Sequence, residues 1–192
     1  LDIILGIMLF VSVLPLFVFS ACAIKICMGG NVIYRQKRVG RKGKFFTMYK
    51  FRTLKTEENF DLSGNSPSYN CKKKLIYSSN DKRITRLGRI LRKSSIDELP
   101  QLINVIKGDM SLVGPRPLIP DLLAGFRQFT SVRNLVKPGI TGLWQVRDRR
   151  NKNSTEAMMP HDLEYVRNYD MKMDIKILLM TVPAVLKWND AY

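Results

Sequence analysis

The sequence predicts an α+β fold, mostly helical, in which a membrane-anchoring apolar segment leads into a small β-hairpin and then a helical domain. Three patterns carry this. Ile3 to Ile24 is almost entirely apolar. Residues 31–56 alternate apolar and polar side chains around Gly40 and Gly43, the period-two signature of strands. From Arg83 onward, Ile84, Leu87, Ile90 and Leu91, then Leu99, Leu102, Ile103 and Ile106, recur at helical spacing. At 192 residues the chain has room for one good-sized domain. We divide it into an anchor, 1–28, and a domain, 29–192, with a polar loop or lid at 57–80.

The apolar segment is long enough to reach across a hydrocarbon core of ~30 Å at ~1.5 Å per residue. It begins with Asp2 and carries its cations afterwards, the reverse of a signal peptide. No acid occurs between Asp2 and Glu57, whereas Lys25, Arg35, Lys37, Arg38, Arg41 and further cations do. By the positive-inside rule the remainder of the chain faces the cytoplasm. Pro15, near the middle of the run, allows a kinked spanning helix or a re-entrant helix–break–helix that dips into one leaflet. Composition alone reads as spanning.

The 32 Lys and Arg against 16 Asp and Glu give a formal charge of +16. Its partners are therefore anionic: nucleic acid, acidic lipid or phosphorylated small molecules. Cys22, Cys27 and Cys71 form no metal-binding spacing and no even disulfide framework. The single His161 has no cluster around it and reads as structural or solvent-facing.

In the hairpin, Val32-Ile33-Tyr34 and Phe45-Phe46-Thr47-Met48-Tyr49 are the expected strands, joined by a basic turn. Glu57 through Ser68 is turn-rich and shows no chemistry. Gly88 weakens the helix after Arg83 and permits close backbone approach. Gly108 ends the helical pattern, and Asp109 to Pro117 reads as a stiff loop. There Pro115 and Pro117 pin the backbone around Arg116, so little entropy is lost when its guanidinium grips an anion. Pro120 to Val136 is a plausible helix, Leu143-Trp144-Gln145-Val146 a short strand, and Asp174 to Trp188 a helix suited to the membrane interface.

The most informative stretch is Ser94-Ser95-Ile96-Asp97-Glu98-Leu99-Pro100, two adjacent carboxylates behind a cationic run (Arg83, Arg86, Arg89, Arg92, Lys93). Ser95-x-x-Glu98 by itself reads as a capping box, and acids in a first helical turn are ordinary. Pro100 complicates that version, because a helix begun after Ser95 would carry proline where it removes a hydrogen bond and kinks the chain. A helix begun at Pro100 leaves both carboxylates in the preceding turn; either way they sit at a break, where a side chain can face a ligand.

Asp81-x-Arg83-x-Thr85-x-x-Gly88-x-x-Leu91-Arg92-x-x-Ser95-x-Asp97-Glu98-Leu99-Pro100-Gln101-Leu102, followed by Gly108-x-Met110-Ser111-x-Val113-Gly114-Pro115-Arg116-Pro117, resembles the bacterial sugar transferases, the monotopic polyprenyl-phosphate phosphoglycosyl transferases. Phe51-Arg52-Thr53, Lys137 to Val146, and Asp162-Leu163-x-Tyr165-Val166 through Asp174 resemble the same pattern.

The resemblance implies a re-entrant membrane helix at Pro15 in the bacterial inner membrane, with the catalytic domain at the cytoplasmic leaflet. It implies transfer of a sugar 1-phosphate from a UDP-sugar to undecaprenyl phosphate, with Mg2+ and release of UMP, opening a surface polysaccharide or glycoconjugate pathway. Asp97 would be the nucleophile and form a covalent phosphosugar intermediate. Glu98 would support the metal with Asp97 or handle a proton. Neighbouring cations and a helix N-terminus are expected to keep Asp97 ionised. Arg116 is the first phosphate-binding candidate, followed by Arg92, Arg52 and Arg149. The long polar loop, the ending Asn189 to Tyr192 and a first residue other than Met resemble the larger members. This gives the expectation of a catalytic domain from a longer chain, transferring a hexose 1-phosphate. Homo-oligomerisation is compatible with all of this. Arg147-Asp148 before Arg149, and Asp170, depart from the family pattern and leave sugar specificity open.

Two rivals stand beside this reading. A catalytically silent basic scaffold on the membrane surface accounts for the charge and the anchor. A nucleic-acid-binding protein accounts for the charge alone, but helix-turn-helix, zinc-finger and base-stacking motifs are lacking, so no nucleic-acid partner is expected.

Overall fold

In the computed structural model, which describes residues 2–55, 83–123, 126–148 and 155–186, Asp2–Met28 form one helix, α1. Pro15 lies inside an unbroken run of helical residues, so a change of direction there takes the form of a kink within one helix. The helix is about 40 Å long at ~1.5 Å per residue. Its inward stripe runs the whole way. Leu5, Phe10 and Val13 pack on the largest core cluster, which holds Val105, Met110, Leu112 and Tyr165. Phe17, Ala21, Ile24 and Met28 pack with Phe51 and Leu91. Between these positions Ile4, Met8, Val11, Val18 and Phe19 face outward, Phe19 at 72% exposure.

The expected hairpin forms and is longer than foreseen: β1 (Ile33–Val39) pairs antiparallel with β2 (Phe45–Phe51) around a 3-10 turn at Arg41–Gly43. The register sets Arg38 opposite Phe46, Gln36 opposite Met48 and Tyr34 opposite Lys50. Thr85 caps α2 (Arg86–Lys93), its hydroxyl accepting from the Gly88 amide at 2.8 Å. Gly88 makes the close approach its residue type allows: a Cβ there would lie 2.1 Å from the Thr53 carbonyl oxygen.

α3 (Gln101–Ile106) is fastened to β2 through Asn104, which is fully buried. Its side chain accepts from the Tyr49 amide at 3.1 Å and donates to the Thr47 carbonyl at 2.7 Å. Gly108, at φ +82°, then ends the helical segment as expected.

The remaining elements depart from the sequence expectations in three places. The stretch from Pro120 to Val136 is two helices, α4 (Pro120–Leu123) and α5 (Arg127–Arg133), because Leu118, Leu123 and Phe129 must all enter one core cluster. Leu143-Trp144-Gln145-Val146 is helical, part of α6 (Leu143–Arg147), and the strand lies just before it. That strand, β4 (Gly139–Thr141), pairs parallel with β3 (Ser111–Val113), inside the stretch expected to be loop. Gly139 is required there, since a Cβ would sit 2.1 Å from the Gly114 nitrogen. α7 (Thr155–Arg167) and α8 (Met171–Leu186) close the domain, and the Tyr165 hydroxyl donates to Asp174 at 2.8 Å. On α8, Met171, Ile175, Leu179 and Val182 stay exposed, while Ile177 is buried. The polar loop at 57–80, Arg149 and Trp188 lie outside the described residues.

Candidate active site

The two carboxylates sit in the turn before a helix, not in its first turn. α2 ends at Ser94, whose hydroxyl donates to the Ile90 carbonyl at 2.9 Å. Ser95 then takes a left-handed conformation, φ 57°, and its side chain makes no capping bond. The capping-box reading therefore fails: Pro100 precludes one continuous helix here, and the chain resets at Ser95. Ile96–Glu98 form a 3-10 turn, and Pro100 stands immediately before α3.

Glu98 is the better-connected acid. Its Oε1 accepts from Lys50 Nζ at 2.6 Å and from Arg116 Nη2 at 3.4 Å. Lys50 comes from β2, and Arg116 from the loop after β3. These groups, with Arg38, Gln101 and Ile140, line a concavity open to solvent.

Asp97 is 5% exposed and lies beside this concavity rather than on its wall. Burial raises its pKa to about 6. Lys50 pulls it down, Glu98 pushes it up, and Arg92 and Arg116 pull it down further. The cations act in the expected direction, favouring the ionised form, but desolvation outweighs them. An acid with a pKa near 6 is still mostly ionised at neutral pH.

The loop bearing Arg116 is held by its carbonyls, as it must be with prolines on both sides of the arginine. The Gly139 amide donates to Pro115 O at 3.0 Å, Arg38 Nη1 to Pro117 O at 3.0 Å, and the Val39 amide to Leu118 O at 3.1 Å. Hairpin and loop are therefore one frame around the concavity.

Of the residues predicted from sequence, Asp97, Glu98, Arg116 and Arg92 come together. Arg92 is buried, and its Nε donates to Thr53 Oγ1 at 2.9 Å. Arg52 is elsewhere: its guanidinium donates to the carbonyls of Met28 and Gly29 at the C-terminal end of α1, where a cation complements the helix dipole. Pro15 belongs to the exposed side of α1. His161 is 3.7 Å from Asp148, away from the carboxylates. Sequence reasoning missed Lys50 and Arg38 as site residues. Strand alternation held the signal, because Lys50 is two residues from buried Met48 and so faces the same way.

Comparison with known proteins agrees with the motif reading. A family model described as bacterial sugar transferase matches residues 1–188. Over its full length the chain is 42% identical to an undecaprenyl-phosphate galactose phosphotransferase of Salmonella typhimurium, and spans 40% of that protein. It is 38% identical, over 94% of its length, to a UDP-glucose:undecaprenyl-phosphate glucose-1-phosphate transferase of Escherichia coli, spanning 38% of it. It is 45% identical, over 91% of its length, to an uncharacterized sugar transferase of Bacillus subtilis, spanning 79% of that chain.

Proposed function

The chain belongs to the bacterial sugar transferase family, and from that premise we propose that it transfers a hexose 1-phosphate from a UDP-hexose to undecaprenyl phosphate, releasing UMP. The observation that carries the proposal is the pairing of Asp97 and Glu98 with Lys50, Arg92 and Arg116 on a domain built against an apolar helix. One relative's name gives UDP-glucose and undecaprenyl phosphate, and another's gives undecaprenyl phosphate and galactose.

In the reaction, Asp97 attacks the β-phosphorus of the donor. The bond from that phosphorus to the oxygen bridging the two phosphates breaks, and UMP leaves with the oxygen. An oxygen of the lipid phosphate then attacks the phosphorus of the aspartyl-phosphosugar, returning the Asp97 carboxylate and giving the sugar-diphospholipid. Dividing the transfer into two displacements is the ordinary gain from a covalent intermediate. Arg116 and Lys50 face the concavity, where they hold the donor's phosphate oxygens and offset the repulsion between two anions. Lys50 and Arg116 also fix Glu98, leaving it poised beside the reacting group.

Adjacent carboxylates fit Mg2+, which takes one or two of them and completes its shell with phosphate and water oxygens. Asp97 and Glu98 would hold the ion, which supplies neutralisation of phosphate charge when bound.

The membrane placement we propose is monotopic and re-entrant, at the cytoplasmic leaflet of the inner membrane. A helix packed on the domain from Leu5 to Met28 cannot cross a bilayer without drawing the domain's polar surface in with it. Lying in one leaflet, it buries Ile4, Met8, Val11 and Phe19 in lipid and sets the carboxylates near the headgroup phosphates. The exposed apolar stripe of α8 is a second interfacial contact.

Nucleotide release from a panel of UDP-sugars, with undecaprenyl phosphate and Mg2+, tests the proposal in wild type and Asp97→Asn. UMP from one donor, abolished in the variant, is the expected result. Release of UDP, or retention of activity in Asp97→Asn, overturns the assignment. Because Glu98 rather than Asp97 lines the concavity, mass spectrometry of the trapped intermediate decides the second reading, in which Glu98 carries the phosphosugar.

A further inference from the structure

Arg133 and Asp162 form a buried ion pair outside the groups assigned above, with side chains 2% and 4% exposed. They come from α5 and α7 and are 29 residues apart in sequence. Arg133 Nε and Nη2 both reach Asp162 Oδ2, at 3.2 and 3.0 Å. The same Nη2 donates to the carbonyl oxygen of Arg116 at 2.6 Å. Burying such a pair is a poor route to stability, since desolvation cancels most of the attraction and apolar residues of equal volume serve as well. Its geometry therefore calls for another account.

That account lies in the backbone of the loop. Pro115 and Pro117 have fixed φ, and Arg116, preceding a proline, is confined to extended conformations. The Arg116 carbonyl is one bond from the Cα that carries the side chain, so holding its direction removes one of the remaining backbone freedoms at that residue. Three neighbouring carbonyls, on Pro115, Pro117 and Leu118, are held by Gly139, Arg38 and Val39. Arg133 holds the one between them. Asp162 in turn fixes Arg133, and the Phe129 ring lies 5.4 Å from the guanidinium carbon.

We propose that the Arg133–Asp162 pair is a positioning device that sets the Arg116 guanidinium over the phosphate-binding concavity. This deepens the function proposed above and rests on Arg116 being a phosphate contact. Lysine at 133 retains the charge but has a single nitrogen, and it cannot reproduce a planar fork that grips a carboxylate while one arm reaches a carbonyl.

The test is a double-mutant cycle in the detergent-solubilised full chain, pairing Arg133→Lys with Arg116→Ala. Arg133→Lys is expected to lower kcat/KM for UMP release roughly ten-fold, the scale of one charge-assisted hydrogen bond. In the Arg116→Ala background the same change is expected to cost less than about two-fold, as interacting residues are non-additive. An equal loss in both backgrounds overturns the proposal and leaves the pair a purely structural one. Asp162→Asn, which preserves an acceptor for Arg133, repeats the cycle should Arg133→Lys fail to fold.

Calorimetric titration with inorganic pyrophosphate separates this from failure of the reaction itself. Pyrophosphate affinity is expected to fall several-fold on Arg133→Lys only when Arg116 is present, whichever donor is used and even if none yields UMP. Affinity unchanged by Arg116→Ala overturns the proposal at its premise.

Discussion

Asp97 and Asp162 are both buried aspartates among arginines, and burial pushes both up to about 6. Their surroundings differ in one respect. Asp162 has its own cation, with Arg133 at 3.0 Å. Asp97 is surrounded by cations that bond elsewhere: Lys50 and Arg116 to Glu98, and Arg92 to Thr53. The same desolvation thus yields two kinds of charge. One is paired within the fold. Among the described residues the other is flanked by cations without a direct ion pair of its own, which disfavours the folded state and, on the function proposed above, leaves the carboxylate available to a substrate phosphorus.

The sharpest way to break this comparison is the isosteric change Asp97→Asn. UMP release is expected to fall by more than ~10^3-fold, the scale seen when a catalytic nucleophile is removed. A smaller loss means that Asp97 is merely another structural acid.

Asp162→Ala tests the other side. It leaves the Arg133 guanidinium buried without its counter-charge, and a loss of ~3–5 kcal/mol is expected in unfolding. Asp97→Ala should cost far less, because the cations around it keep their bonds. Equal destabilisation by the two would erase the distinction.

Asp97→Asn is expected to raise stability at pH 7.5 by ~1–3 kcal/mol, from a shift of about two units at ~1.4 kcal/mol each. The sign follows from which state holds the proton. Asp97 ionises near 3.8 in the unfolded chain and near 6 in the fold, so the folded state binds more protons between those values and loses stability as pH rises through them. The gain from Asp97→Asn should therefore vanish below pH 4. Asp162 titrates in the same window, but the difference between wild type and variant cancels it.

The smallest effect is expected from Ser95→Gly. Glycine takes φ 57° without strain, at a cost in unfolded-chain entropy. A stability change below ~1 kcal/mol, with activity within two-fold, is expected by thermal melts and UMP assay. A larger loss of activity would give the Ser95 hydroxyl a part in holding the Asp97 turn.

Much of the site was legible because it is local. Asp97-Glu98, Pro100 and the Pro-Arg-Pro loop lie within twenty-one residues, and Pro100 marked a break at the acids, though not on which side of it the helix begins. Arg133 and Asp162 were not legible as a pair, because only the packing of α5 on α7 joins them. Leu143 to Val146 read as a short strand, yet the Val146 amide donates to the Gly142 carbonyl at 3.2 Å and the Asp148 amide to the Trp144 carbonyl at 2.9 Å, the i to i−4 bonds of a helix that four residues of sequence do not announce. Arg52 shows the converse: its motif was visible, but not that the C-terminal carbonyls of α1 would claim its guanidinium.

The inward stripe of α1 has one more consequence. The anchor is a wall of the core and not a tether. Cutting the chain after Met28 would not release a soluble enzyme; it would strip the cover from Val105, Met110, Phe51 and Leu91 and leave a trough of bare apolar surface some forty ångströms long. In the membrane placement proposed above, lipid pressing on the outer side of the same helix would in effect be a component of the folded protein. A detergent chosen for purification therefore has to do the bilayer's structural work as well as its solubilising one.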